Sequence, residues 1–279
     1  MIKITHKDLD KIALEHFGNL KNKFNKSNIS NSILEEIILA EPKDLLKIDN
    51  EYKRYENKFK SKYRIFIDTK QSYNAYELIK KLNIIVCPYC NRNTIYNLKH
   101  TKRRTSEIDH FYPKSEYPIL SLSFYNLIPS CSSCNRLKSN KINKYINPYD
   151  NRYDFNKNIK FDFKVKNLSF SYSTDGFKII CKSNKNISKN EKRKAKNNIQ
   201  TFKLNDLYQN HKDIVLELIQ KREIYPDSYI DELYKNYDFF NNREDVLRFI
   251  TSGYIGNKDL GKRPLSKLIK DISEELELI

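Results

Sequence analysis

Two cysteine pairs, Cys87-Pro-Tyr-Cys90 and Cys131-Ser-Ser-Cys134, bracket the step Asp109-His110. Asn126 lies between that step and the second pair, and Asn135 follows the last cysteine directly. Paired cysteines at this spacing supply four thiolates, the ligand set of a tetrahedral zinc ion with no open position, so the site they form would be structural. The residues inside the loop it would close have another chemistry. Hydrolysis of a phosphodiester needs a base for water and a hard cation to neutralise the phosphate and the departing 3′-oxygen. An imidazole that is neutral near pH 7 suits the first task, which makes His110 the candidate base. Carboxylate and amide oxygens suit Mg2+ or Mn2+ for the second, which makes Asp109 and Asn135 the candidate ligands. Two metals with separate tasks are therefore expected. Neighbouring strand residues point to opposite faces, so Asp109 and His110 meet one site only where a strand ends or bends, and Pro113 supplies a stop. A zinc ribbon that merely binds nucleic acid would need the cysteines and not this set.

The elements that must position these residues read as an α+β chain, mainly helical around the cysteine-bracketed module, with a small antiparallel β meander after it. Residues 1–80 are expected to be a helical region without catalytic chemistry. Ile12, Ala13, His16, Phe17 and Leu20 share a helical face. Ser32-Ile-Leu-Glu35 reads as a capping box. Pro42 ends or restarts a helix, and Tyr52, Tyr55, Phe59 and Tyr63 form an aromatic stripe best read as core. Residues 81–150 hold the module, with strands expected over 92–97 and 107–111 and a helix starting near Asn135. Lys99 to Arg104 is a basic loop in which Arg103 and Arg104, with His100, are candidates to clamp a phosphate backbone. Glu107 shares a strand face with Asp109 and is a candidate neighbour of the metal. In residues 151–279, alternation over 161–165, 168–172 and 177–179 predicts three strands. Helices then follow: one capped by Ser188 and Glu191, one from Tyr208 to Ile224, one from Asn242 to Ile250, and a last one opened by Pro264. His211 and the run Lys192–Lys196 read as solvated surface, and Cys181 as ordinary packing.

A net charge of +17, from 52 Lys+Arg against 35 Asp+Glu, attracts polyanions and points to nucleic acid. An Asn- and Lys-rich composition inherited from an AT-rich genome is the competing explanation. Only 39% of residues are hydrophobic, but 20 Tyr and 15 Phe can build a core with their polar tips near water. The absence of an apolar leader, in a chain with five cysteines, points to a reducing, cytoplasmic setting. No run approaches the length of a membrane span, so no membrane is expected. No Gly-rich loop ending in Gly-Lys-Ser/Thr occurs, so any ATP chemistry must come from a partner.

Taken together, Cys-Pro-Tyr-Cys-Asn-Arg92, Glu-Ile-Asp-His-Phe-Tyr-Pro-Lys-Ser115, Asn126-Leu-Ile-Pro-Ser-Cys131 and Cys134-Asn-Arg-Leu-Lys138 resemble an HNH endonuclease of the zinc-bearing ββα-metal type, over roughly residues 84–140. The resemblance implies His110 as general base, Asp109 and Asn135 as metal ligands, and Asn126 as the residue that orients the base. Asn135 stands where the family often has His. Lys138, one turn beyond Asn135, is placed to touch phosphate. Finer wording, Asp-His-Phe-Tyr-Pro-Lys-Ser with Leu-Ser-Phe-Tyr-Asn126, is similar to the nuclease subunit of Septu-type and retron-linked antiphage systems, which work with a separate ATPase. The implied function is a metal-dependent endonuclease, on DNA ahead of RNA, serving antiphage defence with an ATPase partner. Leu216, Leu218, Ile219, Ile224 and the segment 264–271 are candidate partner contacts. The alternatives are an RNA- or tRNA-directed nuclease and a catalytically silent, zinc-stapled nucleic-acid-binding subunit.

Overall fold

A computed structural model describes residues 1–25, 27–142 and 144–279. The chain forms two compact units: Lys3–Pro88 with Thr94–Arg152, and Met1–Ile2 with Tyr89–Asn93 and Tyr153–Ile279. It is an α+β protein whose sheets are antiparallel and two-stranded. No helix among the described residues is long and apolar enough to cross a membrane.

The first unit begins with five helices, α1 Leu9–Lys21, α2 Asn31–Ile38, α3 Leu45–Tyr52, α4 Glu56–Ile67 and α5 Ala75–Leu82. Ser30, two residues earlier than the sequence pattern suggests, caps α2 by accepting from the Ile33 N–H. Pro42 lies in the link from α2 to α3. Asn74 caps α5 through the Tyr76 and Glu77 N–H groups, and Asn83 ends it in the left-handed region at φ 47°. Short strands follow: β1 Asn97–Leu98 pairs with β2 Arg103–Arg104, and β3 Glu107–His110 pairs with β4 Leu127–Ser130. Helix α6 spans Ser132–Lys138. It starts inside the second cysteine pair, because Cys131 already has the extended backbone of a cap and its carbonyl accepts from Asn135 N.

The helical region and the module 81–150 share this unit, and one segment explains why. The 3-10 turn Pro118–Leu122, in the connection from β3 to β4, is buried along its whole length and packs on α2, α3 and α4. His16 of α1 donates from Nε2 to the Leu122 carbonyl at 2.9 Å, with Tyr73 Oη 2.9 Å from Nδ1. Ser123 Oγ donates to the Ile37 carbonyl. Each contact satisfies a buried backbone acceptor, so the helices complete the connection as well as supplying apolar cover.

In the second unit, α7 Phe155–Asn158 leads into the hairpin β5 Ile159–Val165 and β6 Phe177–Ser183, then α8 Lys189–Thr201, α9 Leu204–Leu207, α10 Lys212–Ile224, α11 Asp227–Asn236, α12 Arg243–Thr251 and α13 Ser266–Glu275. The middle strand expected over 168–172 is absent. The segment turns in 3-10 geometry and leaves Leu168 89% and Tyr172 72% exposed, so its alternation had no sheet face to bury. Gly176 is required there, since a Cβ would lie 2.3 Å from Phe170 N. Side chains close both edges of the hairpin. Asp271 of α13 accepts from Phe161 N on one side, while Asn205 and Gln209 accept from Cys181 N and Ile179 N on the other. Ser188 and Glu191 form the capping box of α8. Leu218 and Ile219 are core residues, and residues 266–271 are buried throughout, so most of the expected partner contacts are interior. Ile224, 62% exposed, remains on the surface.

Candidate active site

Strand β3 and helix α6 carry the polar centre of the first unit, and their periods match. Glu107 and Asp109 share one face of the strand, while Asn135 and Lys138 lie three residues apart on one face of the helix. Asn135 Nδ2 accordingly donates to Glu107 Oε2, and Lys138 Nζ donates to Asp109 Oδ1 at 3.0 Å. Glu107 thereby holds the amide whose oxygen is the candidate ligand.

Lys138 is 0% exposed and also donates to the His110 carbonyl at 2.7 Å. The surface phosphate contact expected of it is not where the side chain sits. Its stem is enclosed and its ammonium ties the end of β3 to α6. Removing one member of such a buried pair leaves an uncompensated charge in the interior.

His110 is the last residue of β3, and its ring takes different partners from Asp109. Nε2 lies 3.1 Å from the Ser121 carbonyl, and the Tyr63 ring meets the imidazole edge-on at 4.9 Å between centroids. A carbonyl only accepts, so Nε2 carries the proton and Nδ1 presents the lone pair. Burial pulls the His110 pKa down to about 3, with Lys114 and Lys138 adding to the depression and the Ser121 carbonyl opposing it, so the ring is neutral at pH 7.

Asn126 reaches His110 only through the intervening backbone. Its Oδ1 accepts from Tyr112 N at 2.8 Å, and its Nδ2 donates to the Tyr112 and Leu120 carbonyls at 3.1 and 2.9 Å. These bonds cross-brace the connection that presents the neighbouring Ser121 carbonyl. On β2, Arg103 is exposed, whereas Arg104 is half-buried, with Tyr63 and Glu107 in its electrostatic surroundings. His100 is exposed on the β1–β2 turn. Tyr63 and Ser121 escaped the sequence reading. Tyr63 was legible only as core, and a backbone carbonyl leaves no mark in a sequence.

The four cysteines come together, with Sγ atoms all within 4.8 Å of one another and every residue buried. The backbone around the first cysteine pair is tightly held. Tyr89 stacks on Phe202 at 4.4 Å, and Tyr208 Oη donates to the Cys90 carbonyl. Asn91 Nδ2 donates to the Leu260 carbonyl, and its Oδ1 accepts from Lys267 N. Four convergent sulfur donors fit a thiophilic metal ion, whereas Asp109 and Asn135 present oxygen donors suited to a hard cation. Cys181 lies outside the group, buried in β6 with its thiol pushed up to about 12 by burial, an inert packing residue.

Residues 87–141 match the family model described as HNH endonuclease. No curated protein and no solved structure matches the chain. The matched segment contains β3, β4, α6, all four clustered cysteines and the Asp109-His110 step, so residues 87–141 form an HNH endonuclease domain whose four cysteines could hold a metal ion.

Proposed function

We propose that the protein is a metal-dependent endonuclease that hydrolyses DNA phosphodiester bonds, with His110 as general base. The observation that carries this reading is the His110–Ser121 hydrogen bond, which fixes the protonated nitrogen and leaves Nδ1 as an acceptor. Nδ1 takes a proton from water, the resulting hydroxide attacks phosphorus, and the bond to the 3′-oxygen breaks; the departing oxygen takes a proton from solvent, leaving a 5′-phosphate and a 3′-hydroxyl. Asp109 and Asn135 would hold Mg2+ or Mn2+, which when bound stabilises charge on the phosphate and the departing oxygen. Cys87, Cys90, Cys131 and Cys134 would hold Zn2+ as a structural ion. Asn126 fixes the connection behind the base, Lys138 fixes Asp109, and Arg103 and Arg104 meet the nucleic-acid backbone.

The test is purified protein on plasmid DNA and, separately, on total tRNA, with Mg2+ or Mn2+. His110→Ala is expected to lower cleavage at least about 100-fold while zinc content and DNA binding persist. Wild-type rates in that variant would remove His110 as base, and cleavage of tRNA alone would move the substrate to RNA. A variant that binds, from a parent that never cuts, would favour the silent subunit.

We further infer an antiphage role with an ATPase subunit. The segment Asp109–Ser115 supports it by its likeness to Septu-type nucleases, as does a sequence without a P-loop motif. Ile224, Phe239 and Phe249, each more than 60% exposed in the second unit, offer such a subunit an apolar surface. Co-expression with a neighbouring ATPase gene and size exclusion test the pairing. A chain that never co-elutes and cuts unaided would end that assignment and leave the nuclease reading intact.

A further inference from the structure

Helix α4 lies outside the residues that match the HNH model, yet it forms part of the surroundings of the base. Lys60, Tyr63 and Arg64 fall on one stripe of α4 and line a cavity of about 440 Å³ together with Lys114, Ser121 and Asn140. Two of these residues also hold His110: the Tyr63 ring lies against the imidazole, and the Ser121 carbonyl accepts from it. The cavity is therefore lined by two residues that contact the base. Lys114 Nζ stands 4.3 Å from the centroid of the Tyr63 ring, so its charge is held at the mouth. Among the described residues, no carboxylate lines the cavity. The ion pair on this stripe, Lys60 with Glu56 at 3.6 Å, is half-exposed and weak. Three cations converging on one concavity, with hydroxyl and amide groups and no acid, suit an anion with several acceptor oxygens. A merely solvated helix face would spread its charge over convex surface instead of turning it inward beside a buried imidazole.

We propose that this cavity binds a phosphate of the DNA strand adjacent to the one that is cut, with Lys60, Arg64 and Lys114 as its ligands. The assignment rests on the nuclease reading and extends the nucleic-acid surface to α4. Phosphate contacts of this kind position the strand without reading its sequence.

The experiment uses full-length protein carrying His110→Ala, so that substrate survives, and a fluorescein-labelled DNA duplex read by anisotropy across a salt series. Lys60→Ala, Arg64→Ala and Lys114→Ala combined should weaken binding about tenfold or more. The slope of log affinity against log salt should fall by about 1, the share of one phosphate contact. All three side chains are exposed, so zinc content and thermal midpoint should not change. Arg64→Glu alone, at an exposed helical position, gives a second measure and should weaken binding about tenfold. Lys189, Arg193 and Lys196, an exposed basic stripe on α8, are replaced by Ala as a control of equal charge. A cavity variant that keeps the parental affinity and slope, or an α8 variant that loses as much, would overturn the proposal. A parent that fails to retain DNA at low salt would overturn the nuclease reading with it. A parent that binds beside an unaffected cavity variant removes this inference alone.

Discussion

Among the described residues, each unit buries one lysine completely, and each lysine is paired with an aspartate, but the two pairs are built differently. In the second unit, Lys267 and Asp271 lie one turn apart on α13; Lys267 reaches both carboxylate oxygens, and Asp271 also accepts from Phe161 N. That pair is closed on itself and on the sheet edge. Burial lowers the Lys267 pKa while Asp271 opposes the shift, and the ammonium serves the packing of α13 on β5. In the first unit, Lys138 reaches across two elements, engages only Oδ1 of Asp109 and spends another hydrogen bond on the His110 carbonyl. Closure within one helix marks scaffold. A pair that spans β3 and α6 at the end of a strand marks a place where position is being controlled.

Loss of the cysteine cluster should have the largest effect. Cys131→Ser should prevent folding of the module at 84–140, because a structural zinc ion contributes on the order of 10 kcal/mol of apparent binding energy. Elemental analysis and near-UV circular dichroism report on it, and zinc-free protein with native spectra would refute it.

The comparison of the two lysines is sharpened by replacing each with Met. Both variants should lose about 3–5 kcal/mol of unfolding free energy in urea, the cost of stranding a buried carboxylate. Only Lys138→Met should also change Mn2+ affinity, measured calorimetrically in the His110→Ala background. Equal Mn2+ binding in both would make Lys138 another scaffold pair.

A smaller effect comes from His16. Burial lowers its pKa from 6.5 to about 4, so the folded state keeps it neutral where the unfolded chain protonates it. Stability contributed by His16 is complete above about pH 6.5 and is lost as pH falls toward 4, by about 3 kcal/mol in all. Calorimetric midpoints across this range should show His16→Gln losing about one bound proton of that dependence; an unchanged slope would place the titration elsewhere. The smallest change is expected from Cys181→Ala, about 1 kcal/mol with zinc content unaltered.

What the sequence disclosed and what it hid divide along a physical line. The cysteine pairs, the Asp109-His110 step within an HNH segment and the capping box of Ser188 and Glu191 are local in type and spacing, and so were readable. Lys138 looked like a surface cation because its spacing from Asn135 places it on a helix face without saying which neighbour that face meets. The stripe of α4 held Lys60 and Arg64 in plain view, but only the turn at 118–122 brings it to His110. Leu168, Phe170 and Tyr172 alternate as a strand would, and no pairing partner exists for them. Nothing in the local pattern of residues 1–80 signals that His16 and Ile37 bond to the connection from β3 to β4.

The Lys138–Asp109 contact has a consequence for how the two ligands of the proposed reaction depend on each other. Asp109 already faces a full positive charge, so a divalent ion held there meets a carboxylate whose charge is matched. The negative charge that best completes its binding is the phosphate of the incoming strand. Thermodynamic reciprocity then requires each to raise the affinity of the other by the same factor. If the proposed cation binds there, such a centre would hold it weakly until a strand arrives.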